Sequence, residues 1–144
     1  MVDLLQFNID TLVSQIRKVL SPHDEIIAAY LYGSMIKGQK GYGRDVDVAL
    51  LLDRGFDEPP MYSVHVAGLI EEELGVYDVV DVRVLNYQSL GFQFRVIKEG
   101  LIILCRDDKE RVRYESGVVS SYLDVKPFLD QYDAFRIRRL RFEG

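Results

Sequence analysis

The chain has 144 residues, 48% of them hydrophobic, and a net charge of -5, which suits one domain with a real core and leaves little room for two. The acidic balance argues against a protein whose main task is gripping a nucleic-acid backbone, because that affinity is built from surplus Lys and Arg. The lone Cys105 has no internal disulfide partner, no apolar run is long enough to cross a bilayer, and Asp3 and Asp10 break up any apolar leader. A cytoplasmic protein is expected.

In chain order, residues 8–20 place Ile9, Leu12, Val13, Ile16, Val19 and Leu20 at helical spacing, closed by Ser21-Pro22. "IIAAYLY" follows as a strand and, beyond a loop of glycines and cations, "DVDVALLL" as a second. After the turn-rich "DRGFDEPP", Met61 to Leu74 reads as a helix started by proline and ended by Gly75. "VVDVRVL" is a third strand, Asn86 is placed to cap a helix carrying Leu90, Phe94 and Ile97 that stops at Gly100, and "LIILC" is a short fourth strand. Asp107 to Glu110 resembles a capping box opening a helical tail over about 107–143, which Gly117 and Pro127 are expected to interrupt, kink or divide. No repeat or linker separates this tail from the core at about 8–105. The order predicts an α/β layer architecture, one sheet with helices packed on it.

Two aspartates stand out in the second strand. Side chains alternate along a strand, so Asp45 and Asp47 share a face while Val46, Val48 and Leu50 fill the other. Neighbouring like charges, partly withdrawn from water, persist where a cation neutralises them. With two histidines and one cysteine in the whole chain, zinc has too few ligands, and all-oxygen ligation suits magnesium or manganese. Asp81 lies in the third strand on the face of Arg83, opposite Val80, Val82 and Val84. Three carboxylates on adjacent strands can hold two metal ions roughly 3.5–4 Å apart, the arrangement that clamps attacking and leaving oxygens in phosphoryl-type displacements. Asp78 is the rival, three residues away and hence on the opposite face; Asp81 is preferred.

The glycine-serine pair before the loop supplies a place for phosphates. Gly33 lets the backbone approach a ligand closely, Ser34 offers a hydroxyl and an N–H, and "SMIK" can begin a short helix. Lys37, Lys40 and Arg44 add positive charge, and the Walker pattern GxxxxGK[ST] is absent.

Gly33-Ser34, ten intervening residues, Asp45-Val46-Asp47 and a later Asp81 together resemble the signature of the DNA polymerase β-type nucleotidyltransferase superfamily. Among its members the chain is most similar to the minimal nucleotidyltransferase (MNT) antitoxins encoded beside HEPN-domain ribonuclease toxins. The small size, "VDVRVLN", "VIKEGLIILCRDD" and the tail around "SSYLDVKPFL" carry that likeness over most of the chain. The resemblance implies a nucleotidyltransferase fold, a small mixed sheet with helices on it and a helical C-terminal tail. It also implies an enzyme that transfers AMP from ATP, with magnesium, to a tyrosine of a HEPN toxin, silencing the ribonuclease. Asp45 and Asp47 would bind both metals, Asp81 would ligate one and accept or orient the acceptor proton, and Gly33 and Ser34 would hold the β- and γ-phosphates. Lys37 and Arg44 would assist nucleotide binding. The sequence departs from the family at Arg44, where a small polar residue is usual, and lacks the arginine that often follows the glycine-serine pair. A non-catalytic antitoxin acting by contact is therefore one alternative, and a small-molecule nucleotidyltransferase of the antibiotic-modifying kind is another. Arg136, Arg138, Arg139 and Arg141 read as ordinary helix-end cations, His65 as a packed or solvated helix residue, and Cys105 as a core residue.

Overall fold

The structure, a computed structural model, describes residues 8–37 and 45–143, with side chains as far as Arg138 and without that of Lys37. The chain runs α1 (Ile9–Leu20), β1 (Ile26–Tyr32), a single-turn α2 (Ser34–Lys37), β2 (Val46–Leu52), α3 (Tyr62–Leu74), β3 (Val80–Val84), α4 (Leu90–Glu99), β4 (Leu101–Cys105) and α5 (Asp108–Glu143). The four strands form one mixed sheet in the order β3-β2-β1-β4, with β1 antiparallel to both its neighbours and β3 parallel to β2. A parallel pair needs a crossover, and α3 supplies it.

Each face of the sheet has its own cover. Asn8 accepts the Thr11 N–H at 2.7 Å and opens α1, whose Leu12, Ile16 and Leu20 pack with Val66 and Ile70 of α3 onto Val46, Val48, Leu50, Val82 and Val84. The alternate residues Ala28, Tyr30, Ala49 and Leu51 meet Leu85 and Val96 on the other face. Covered on both sides, β1 is buried throughout, which is why it reads as an unbroken apolar run. Arg106, just past β4, donates to the carbonyls of Ser21, His23 and Ile26, each at 3.0 Å, and ties the α1–β1 turn to the sheet.

Several local expectations change in the folded chain. Asn86 caps no helix: its amide accepts the Leu52 N–H at 3.0 Å and donates to the Leu52 carbonyl at 2.9 Å. Ser89 caps α4 instead, accepting from Phe92 N–H. The prolines at 59 and 60 precede α3 without opening it, because Met61 intervenes in the left-handed region at φ 61°. The tail is one continuous helix. Pro127 lies inside α5, and the carbonyl it cannot serve, four residues back at Leu123, is on a segment where every described side chain from 123 to 138 is exposed, so solvent can satisfy it. A Cβ added at Gly117 would meet nothing within 4 Å, and the helix runs through it unbroken. Cys105 is only half-buried, its thiol donating to Asp108 at 3.1 Å. Among the described residues, no helix is long and apolar enough to cross a membrane.

Candidate active site

The end of β1 and the beginnings of β2 and β3 meet at one edge of the sheet. Antiparallel pairing sets Tyr32 opposite Asp47, and parallel pairing sets Asp47 beside Asp81. Three side chains therefore stand in a row on one face, with strands about 4.8 Å apart. Val46, Val48 and Val82 fix that phase by entering the core on the opposite face. A slip of one residue would bury the carboxylates and expose the valines. Asp45 is exposed immediately before β2, and Asp78 is exposed in a left-handed bend at φ 57°, outside the sheet.

Gly33 ends β1 at φ +81°, and a Cβ there would collide with the Asp47 carboxylate. Only glycine brings the main chain this close to the acid. The backbone then turns into α2 at Ser34, and both residues line a cleft of about 320 Å³ together with Asp47 and Asp81. The wall opposite is made by Arg83 of β3 and by Phe92, Arg95 and Glu99 of α4. Arg83 Nε donates to Asp81 Oδ2 at 3.0 Å, and the guanidinium groups of Arg83 and Arg95 each lie 5.5 Å from the centroid of Phe92.

The charges perturb one another. Burial, then Asp81, then Asp45 hold the Asp47 carboxyl above its usual range, against an opposing pull from Arg83. Burial and the Asp47 charge push the Tyr32 phenol up to about 12. The hydrogen bond to Asp81 raises Arg83 further above its already high value. An acid that resists ionising because of its carboxylate neighbours is a position where a cation is favoured. The donors are hard oxygens without histidine or cysteine beside them, so the set fits magnesium or manganese in kind. Among the described residues no three His, Cys, Asp or Glu side chains are gathered closely enough to hold a metal as they stand, and one oxygen of Asp81 is taken by Arg83.

The fold thus brings Gly33, Ser34, Asp47 and Asp81 together and leaves Asp45 at the rim. Lys40 and Arg44 lie outside the described residues, as does the side chain of Lys37, whose backbone closes α2. Sequence reasoning missed Tyr32, Phe92, Arg95 and Glu99 as cleft residues. The signal was present for the last three, which recur at helical spacing along one stripe of α4. The stripe used instead contains Phe94, which stacks on Tyr122 of α5 at 4.0 Å.

A mixed sheet that sets paired carboxylates beside a glycine-serine turn agrees with the nucleotidyltransferase resemblance of the sequence. Residues 14–109 match the family described as Polymerase beta, Nucleotidyltransferase, and the chain belongs to that family. No curated protein matches the sequence. Among solved structures, the chain is similar to a toxin-antitoxin crystallised with AMP-PNP, at 19% identity and TM-score 0.66 over 83% of this chain and 97% of that one. It is similar to a chain of the complex of tri-AMPylated HEPN toxin with MNT antitoxin from Shewanella oneidensis, at 19% identity and TM-score 0.63 over 85% and 97% of the two chains. A chain of the toxin-antitoxin MntA-HepT aligns at 17% identity and TM-score 0.63, again over 85% of this chain and 97% of that one. At such identities the likeness establishes the fold.

Proposed function

We propose that this protein is a magnesium-dependent nucleotidyltransferase that acts as an antitoxin, transferring AMP from ATP to a tyrosine of a HEPN-type ribonuclease partner in the cytoplasm. The observation that carries the reading is the in-register pair Asp47 and Asp81, facing a cleft whose lip is Gly33-Ser34. The similar solved chains, from a complex with a tri-AMPylated HEPN toxin and from a toxin-antitoxin with AMP-PNP, support the choice of nucleotide and partner.

In this mechanism Asp45 and Asp47 would hold both magnesium ions, or manganese in their place, and Asp81 one of them, and the metal would supply charge neutralisation to the phosphates. Gly33 and Ser34 hold the β- and γ-phosphates, with Lys37 and Arg44 completing the nucleotide-binding set. Asp81 would accept or orient the proton of the acceptor hydroxyl. The acceptor oxygen bonds to the α-phosphorus, the bond from that phosphorus to its bridging oxygen breaks, and pyrophosphate leaves. Alignment and charge placement do most of the work, as in phosphoryl transfer generally.

The Arg83–Asp81 ion pair favours a second reading, an antitoxin that neutralises its partner by contact alone, because it engages one oxygen of the third carboxylate. Turnover separates the two. Incubated with ATP, magnesium and the HEPN partner, the catalytic protein adds AMP to a partner tyrosine, read as the corresponding mass increase by intact-protein and peptide mass spectrometry. An unmodified partner that is nonetheless inhibited leaves contact alone.

A further inference from the structure

Arg83 is a cation in the cleft that the mechanism above does not employ. It follows Asp81 by two residues on β3 and so shares its face. We propose that Arg83 is an exchangeable counter-ion, closed on Asp81 while no metal is bound and transferred to the phosphates of the incoming nucleotide when a metal takes Asp81. The inference rests on the reading of Asp81 as a metal ligand.

Three features support the exchange. The Arg83–Asp81 pair is half-exposed on both sides, 50% and 50%, and ion pairs this open are weak and rearrange at little cost. The guanidinium has a second, uncharged support in the Phe92 ring, itself held edge-on by Tyr32 with centroids 5.6 Å apart. Moving off Asp81 therefore need not remove Arg83 from the cleft, since the aromatic face retains the cation. Arg95 approaches the same ring. Once a metal neutralises Asp81, two guanidinium groups are left facing the cleft that Gly33 and Ser34 also line. A polyphosphate matches them, because the arginine fork binds phosphate oxygens in pairs.

A thermodynamic consequence follows. Metal alone has to displace Arg83, whereas metal and triphosphate together give both Asp81 and Arg83 a partner, so each ligand strengthens the other. The test uses the full chain, Mn²⁺ as the metal probe read by electron paramagnetic resonance, and ATP affinity measured with and without Mg²⁺. Arg83→Met keeps an unbranched stem as far as the Nε position and removes the charge, and Asp47→Asn is the control for the site itself. In Arg83→Met, Mn²⁺ without nucleotide is expected to bind more tightly, by up to about fivefold. ATP in the presence of Mg²⁺ is expected to bind about tenfold more weakly. Unchanged Mn²⁺ or ATP affinity in Arg83→Met, with Mn²⁺ binding abolished by Asp47→Asn, overturns the exchange and leaves the metal site standing. Mn²⁺ binding that is absent from wild type, or indifferent to Asp47→Asn, overturns the metal-site reading and the exchange with it.

Discussion

The two faces of the sheet are built from the same strands and serve opposite ends. On one, Val46, Val48 and Leu50 of β2 and Val82 and Val84 of β3 are sealed under α1 and α3. On the other, the residues between them change character along the strand. Ala49 and Leu51 are buried near α4, while Asp47 and Asp81, at the uncovered end, face an open cleft. A displacement of one residue separates a methyl group that stabilises the fold from a carboxylate that strains it. The sheet can carry this strain because the sealed face is continuous.

Moving a carboxylate by a single residue breaks this contrast most severely. Val48 is fully buried, and Val48→Asp places an unpaired charge in the core. We expect a loss exceeding about 4 kcal/mol and no cooperative unfolding transition by circular dichroism. Asp47→Asn, by comparison, leaves the sealed face untouched. AMP transfer is expected to fall about a hundredfold or more, by analogy with the loss of one charge-stabilising group at an active site. Stability in EDTA is expected to rise by up to about 1 kcal/mol, the size of the cross-strand like-charge repulsion it relieves. A double mutant with Asp45→Asn that unfolded more easily in EDTA would make the pair structural.

Gly33→Ala tests the junction between the faces. The residue sits at a positive φ, and its new Cβ meets the Asp47 carboxylate, so both strain and collision oppose it. A destabilisation of about 1–3 kcal/mol is expected in urea unfolding, accompanied by weaker ATP binding.

The smallest effect is a pH dependence. Asp47 binds its proton more tightly folded than unfolded, since burial and its carboxylate neighbours raise its pKa. The folded state thus holds the extra proton as pH rises through the window from the ordinary carboxylate value to the raised one, and stability falls across that window. Thermal unfolding without divalent metal should show a slope in wild type that Asp47→Asn reduces. An identical slope in both would remove Asp47 as its source.

How far the site was legible depends on how local its causes are. Asp47 and Asp81 were readable because strand alternation is a covalent property of the chain, and each acid sits between valines whose burial fixes the face. Their adjacency also follows from sequence to the extent that a crossover helix between two apolar strands makes them parallel neighbours. Phe92 and Arg95 were missed because α4 has two plausible stripes, and only the position of α5 decides which one meets Tyr122 and which meets the cleft. Asn86 shows the same limit. Its residue type suits a cap, yet its amide spans 34 positions to pair with Leu52, a partner invisible to local pattern. Pro127 was read by the rule for proline inside a helix, and the exposure that lets the helix continue through it is a matter of tertiary structure.

By itself, then, the sequence determined the order of the elements, the face on which Asp47 and Asp81 stand and the glycine-serine turn, since period and backbone freedom are set within a few residues. Tertiary structure alone decided that Gly33 lies against Asp47, that Arg83 is bound to Asp81, and that α4 closes the cleft with Arg95 beside Arg83 of β3. These are contacts between segments distant in sequence or choices among rotamers, and their energies come from which neighbours packing supplies.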